Sequence, residues 1–175
     1  MTADLKSVLL LQHDMAWKLA SHHLDGLTTE ACLWRPGGDT GLHVREGNDG
    51  LWRADWPDHE SYDIGPASIG WITWHMLYWW RTALNQSFGD EQLKREEIFW
   101  PGSADGVREA LSSLRTRWVG AVSALDAEAL GRDRLTRWPF TGRPFADVVA
   151  WANMELTKSA SEMGYVLFLR GAAQV

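Results

Sequence analysis

Apolar positions recur at intervals of three and four along four long stretches of this chain, which is the spacing of one helix face. In the first stretch Leu5, Val8, Leu9, Gln12, Met15, Ala16 and Leu19 form one stripe that runs to about Leu24, and Gly26 ends it. Thr2 is the expected cap, with Asp4 well placed for the positive end of the helix dipole. A short helical turn, Thr28 to Leu33, stops at Trp34-Arg35-Pro36, because proline disfavours helix in the residue before it. The second long helix starts near Pro66–Ser68 and runs to Phe88, with Gly89 as its stop. The third follows Pro101-Gly102 with Ser103 as cap, and its stripe is Val107, Leu111, Leu114, Trp118, Ala121, Val122 and Leu125. After a turn at 138–143, Pro144 fits the first turn of a fourth helix. That helix turns Val148, Ala152, Leu156, Met163, Val166 and Leu167 inward. The expected spans are about 3–25, 67–88, 103–126 and 144–170, an all-α pattern of four amphipathic helices that makes a bundle.

Between Gly37 and Gly65 no period is sustained. Six glycines and seven acidic residues (Asp39, Glu46, Asp49, Asp55, Asp58, Glu60, Asp63) alternate there with Trp52, Trp56 and Tyr62. Unstructured connections of this length are uncommon inside a compact domain. The expectation is an ordered, largely irregular loop pinned by its aromatics over one end of the bundle, with part of it able to pair as a short hairpin. The acidic spacing does not match a calcium-binding loop.

A chain of 175 residues, 45% hydrophobic and 23% charged, suits one domain spanning 1–175. The net charge of −6 and the lack of any Lys/Arg block argue against nucleic acid as a partner. No stretch is long enough for a membrane span, and the start lacks a signal-peptide core. One cysteine, Cys32, rules out an internal disulfide and suits a reducing compartment, so the expected location is the cytoplasm. Cys32 sits between Ala31 and Leu33 and reads as small buried packing rather than as a nucleophile. Twelve tryptophans are many for this length, and Trp favours core edges, pockets and interfaces; a homodimer and a small-molecule ligand are therefore the expected partners.

Two clusters carry candidate chemistry. On the fourth helix Trp151, Glu155, Lys158, Glu162, Tyr165 and Leu169 follow a 4-3-4-3-4 spacing and share one face. The plain alternative is a solvated stripe of weak ion pairs. On the second helix His75 lies among Trp71, Ile72, Tyr78 and Trp79, where a hydrogen-bonded core histidine is the plain alternative. His13, His22 and His23 on the first helix carry no motif and read as surface or pocket-edge residues.

Three segments, Leu27–Pro36, Ser68–Trp80 and Asn153–Leu169, resemble the DinB/YfiT superfamily. The resemblance implies an up-down-down-up four-helix bundle. It also implies a divalent metal, zinc or nickel, held by one histidine of the second helix and two at i and i+4 of the fourth, ahead of a glycine. His75 matches the first ligand, and Gly164 places the other two at Lys158 and Glu162. An ammonium cannot ligate a cation, so the chain departs from the pattern at Lys158. Two arrangements remain open. In one, His75, Glu155 and Glu162 hold a metal with Lys158 turned aside. In the other, which is favoured, Lys158 supplies the positive charge and no metal binds. In either case Trp71, Trp79, Trp151 and Lys158 line the expected pocket. The functions implied are a metal-dependent thiol transferase or hydrolase-like enzyme with a degenerate site, or a non-catalytic small-molecule-binding or interaction bundle that has lost the metal. The second fits the expected absence of a cofactor.

Overall fold

A computed structural model of the chain describes residues 4–59, 61–89 and 93–174, so Thr2 and Glu60 lie outside the described residues. The described residues form six α-helices and one two-stranded hairpin: α1 (Leu5–Asp25), α2 (Thr29–Leu33), β1 (Val44–Glu46), β2 (Trp52–Ala54), α3 (Ile69–Phe88), α4 (Ala104–Ser123), α5 (Ala127–Gly131) and α6 (Phe145–Ala172). Each start has a local cause. Asp4 caps α1 by accepting from the Ser7 amide at 3.1 Å, so it stands outside the helix rather than in the first turn. Thr28, Ser68, Ser103 and Asp126 cap α2, α3, α4 and α5 in the same way. Pro144 immediately precedes α6, one position earlier than expected. The single turn α5 has no counterpart in the sequence expectation; it is too short to show a period.

α1 packs on α6 and α4, and α3 packs on α6 and α4. Side-chain partners fix the directions. Asn153 meets Leu9 while Gly164 meets His23, so α1 and α6 run parallel. Arg115 pairs with Asp14 at 3.2 Å and Arg108 donates to Leu24 O at 3.0 Å, so α4 runs against α1. Trp79 lies on Trp151 and Phe88 on Phe145, so α3 runs against α6. Phe88 also meets Trp118, while Thr73 accepts a hydrogen bond from the Trp100 indole just ahead of α4, so α3 and α4 are parallel.

One continuous core fills the space between these helices, built on Trp79, Trp80, Trp100, Trp118, Phe145, Leu111 and Leu156. α1 differs from the sequence expectation. It buries Leu9, His13, Ala16, Ala20 and Leu24, and it leaves Leu5, Val8, Met15 and Leu19 exposed. His13 is likewise a core residue, 2% exposed, and not at a surface or pocket edge. Its Nδ1 donates to Asn153 Oδ1 at 3.1 Å, while Asn153 Nδ2 donates to Leu9 O and Gln12 Oε1.

The 37–65 region contains the hairpin, in register Val44↔Ala54, Arg45↔Arg53 and Glu46↔Trp52. It is tied down rather than draped: Trp71 Nε1 donates to Asp55 O at 2.7 Å, Ser68 N to Leu42 O at 2.9 Å and Trp100 N to Trp52 O at 2.9 Å. Gly41 is required at its turn, because its φ is +100° and a Cβ there would lie 2.0 Å from Pro66 O. No helix among the described residues is long and apolar enough to cross a membrane.

Candidate functional site

The antiparallel α3–α6 pair sets the site, since it brings the His75 face of α3 against the charged face of α6. Lys158 Nζ lies 2.8 Å from Glu155 Oε2, and the two side chains are 44% and 16% exposed. This contact is an ion pair without hydrogen-bond alignment, for Oε2 is buried and receives no hydrogen bond. Glu162, one turn on, is exposed along its side chain, yet enough protein surrounds its carboxyl for desolvation to raise its pKa. Glu155 adds to that rise and Lys158 opposes it.

His75 keeps part of its surface in solvent and stacks on Trp71, with ring centroids 5.0 Å apart and planes 6° from parallel. Burial pushes its pKa down to about 4, and the Lys158 charge pushes the same way. At neutral pH the imidazole is therefore uncharged. The Lys158 charge bears on both His75 and Glu162. Among the described residues no three His, Cys, Asp or Glu side chains are grouped so as to hold a metal ion.

The aromatic wall is broader than the sequence suggests. Trp71, Trp79 and Trp151 are joined by Tyr78, Trp138 and Phe140: Tyr78 meets Trp138 at 6.2 Å, and Trp151 takes Trp138 edge-on at 4.9 Å and 88°. Trp138 and Phe140 come from the turn before α6, where a non-periodic segment gives no sign of which way its side chains face. Trp79 is 1% exposed and lies behind Trp151, so it supports the wall instead of lining open space. The wall is a half-buried aromatic face. A cavity of about 460 Å³ lies elsewhere, between α3 and α4, lined by Arg81, Leu84, Asn85 and Arg117. Cys32 is fully buried and its thiol is pushed up to about 12, as expected of packing and not of a nucleophile.

Residues 12–161 match the family model for the DinB superfamily. The chain belongs to that superfamily. The match spans every element from the middle of α1 into α6, including His75, Glu155 and Lys158. No curated protein matches this DinB-superfamily chain.

As placed, the donor set does not suit a divalent cation. One neutral imidazole and one exposed carboxylate lie in the field of an ammonium, and the second carboxylate is already ion-paired to that ammonium. Chemically the arrangement offers a neutral hydrogen-bonding ring, one positive and two negative charges, and flat apolar surfaces for a ligand to lie on.

Proposed function

We propose that α1, α3, α4 and α6 form the superfamily's up-down-down-up four-helix bundle, and that this member binds a small organic molecule at the His75–Lys158 face without a metal. The observation that carries the reading is Lys158 Nζ at 2.8 Å from Glu155 Oε2, at a position where the family resemblance places a metal-binding histidine. The ammonium takes over the cation's electrostatic role: it neutralises one carboxylate and adds to the burial that lowers the pKa of His75. With Lys158 set against Glu155 and Glu162, the cluster has one net negative charge when both carboxylates are ionised. A ligand with a flat ring and a cationic or hydrogen-bond-donating group fits that charge and the surrounding indoles.

A second reading has one observation in its favour. Glu155 Oε2 receives no hydrogen bond, and Lys158 is exposed enough to swing away, which would release His75, Glu155 and Glu162 toward a metal. Calorimetric titration of tag-free protein with Zn²⁺ and Ni²⁺ separates the two. The metal-free reading expects no saturable binding tighter than about 10 μM in the wild type, and a gain of binding in Lys158→His. Stoichiometric zinc or nickel on the wild-type chain, lost in His75→Ala, overturns it.

A further inference from the structure

α1 carries two apolar faces, and the fold covers only one. The uncovered face holds Leu5, Val8, Leu11, Met15 and Leu19, which are 55, 48, 62, 64 and 38% exposed. At about 100° per residue these five positions fall within an arc of roughly 120°. On α6, Met154, Tyr165 and Phe168 are 59, 65 and 80% exposed and share a face of their own.

The two faces join along the seam between the parallel helices. Gln12, flanked by Val8 and Met15, accepts from Asn153, and Met154 is the next residue. One end further on, His23, a turn beyond Leu19, packs on Gly164, and Tyr165 follows it. The exposed residues between are Gln12 on α1, and Thr157, Ser161 and the half-exposed Lys158 on α6. Lys158 carries the charge on this stripe of α6, and Met154, Ser161, Tyr165 and Phe168 beside it are uncharged, as toward the centre of a protein interface.

We propose that this α1–α6 face is a self-association surface, and that its occupant is a second copy of the chain docked about a two-fold axis. The area argues for this occupant. At their observed exposures the eight apolar side chains alone present on the order of 1,000 Å², against about 800 Å² per partner in a stable interface. It also exceeds the largest apolar patch usual on a monomer, about 300–600 Å². Val8, Leu11 and Met15 on α1, and Met154, Lys158, Ser161, Tyr165 and Phe168 on α6, follow alternating steps of three and four, the spacing with which helices interlock. A two-fold arrangement sets each patch on its own copy, apolar face to apolar face. Lys158 stands between Met154 and Tyr165, so the docked copy also removes solvent from one side of the ionic cluster.

Sedimentation velocity on the full-length, tag-free chain from about 1 to 100 μM tests the proposal, on the scale at which such interfaces dissociate. The expected mass is twice the chain's 19.8 kDa. Met15→Glu and Phe168→Glu, both at exposed positions, should each weaken the dimer at least tenfold with an unchanged circular dichroism spectrum. Leu51→Glu, an exposed apolar site on the hairpin, should leave it intact. A wild-type chain that stays at 19.8 kDa over the whole range overturns the proposal. So does a dimer indifferent to both α1–α6 substitutions, and so does a monomer that uses the patch to bind lipid vesicles. If either glutamate variant fails to fold, the wild-type mass decides the question alone.

Discussion

The position of Lys158 predicts how His75 titrates. Burial is the main reason its pKa falls to about 4, and the Lys158 ammonium is the second. Lys158→Met removes the second cause and leaves the first. The midpoint of His75 should therefore rise in the variant but remain nearer 4 than 6.5. Glu162 responds through the same contact. Lys158 opposes the rise in its pKa, so the variant should titrate Glu162 still higher.

The sign for stability follows from the same displacement. The fold lowers the pKa of His75, so between pH 6.5 and about 4 the unfolded chain binds more protons than the folded one. The contribution is complete above pH 6.5 and is lost as pH falls toward 4. At 1.36 kcal/mol per pH unit this is at most about 3 kcal/mol, and about 1–2 kcal/mol once the solvent contact His75 retains is allowed for. Its partial relief in Lys158→Met should flatten the acid limb of a denaturation curve. The assay is a ¹H–¹³C titration of the histidine Cε1 resonances, assigned with His75→Gln, on wild type and variant. A wild-type His75 midpoint near 6.5, or one that Lys158→Met does not move, refutes the claim that the two side chains face each other.

Three further outcomes follow from the same geometry. A double-mutant cycle on Glu155→Gln and Lys158→Met should give a coupling under about 1 kcal/mol by chemical denaturation, because the lysine of the pair is 44% exposed; a coupling of several kcal/mol would contradict the half-exposed geometry. Asn153→Leu should destabilise by about 2–4 kcal/mol, since it strands the buried His13 N–H and removes two donors to α1, and loss of less than about 1 kcal/mol in urea melts would refute that. Cys32 should not react with a thiol reagent in the native state and should react on unfolding, as its burial and a pKa of about 12 require.

Helix positions were legible because each long helix announces itself with a cap, a period and a glycine or proline at its boundary. That part of 37–65 could pair as a hairpin was legible, though not which residues, and the packing role of Cys32 was legible from its apolar neighbours. The His75–Lys158 relation was legible only through family resemblance, since nothing in spacing within one helix says which face of another it meets. The aromatic partners Trp138 and Phe140 were not legible at all. They sit in a turn whose side-chain directions are set by tertiary contacts with Trp151, not by any local rule. The half-exposure of Lys158 was not legible either: its i,i+3 pair to Glu155 leaves its chain lying along the helix surface.

The inversion of α1 has a steric cause that reaches beyond the helix itself. Periodicity marks an apolar face but cannot rank two of them, and α1 has two. The large residues Leu5, Val8, Met15 and Leu19 make the stronger hydrophobic signal, so a reading by period turns them inward. Close approach of two parallel helices selects for small residues instead. Ala16 and Ala20 are 5% and 0% exposed on α1, and on α6 the seam has Gly164, where an added Cβ would lie 2.7 Å from His23 Nε2. Large side chains at those positions would hold the helices apart and open the cavities that close packing excludes. The polar pair His13–Asn153 fits the same seam because its atoms bond each other across it. Once the seam is made of alanine, glycine and a matched polar pair, Leu5, Val8, Met15 and Leu19 have nowhere to go but outward. Their burial is then available only to a surface outside this fold.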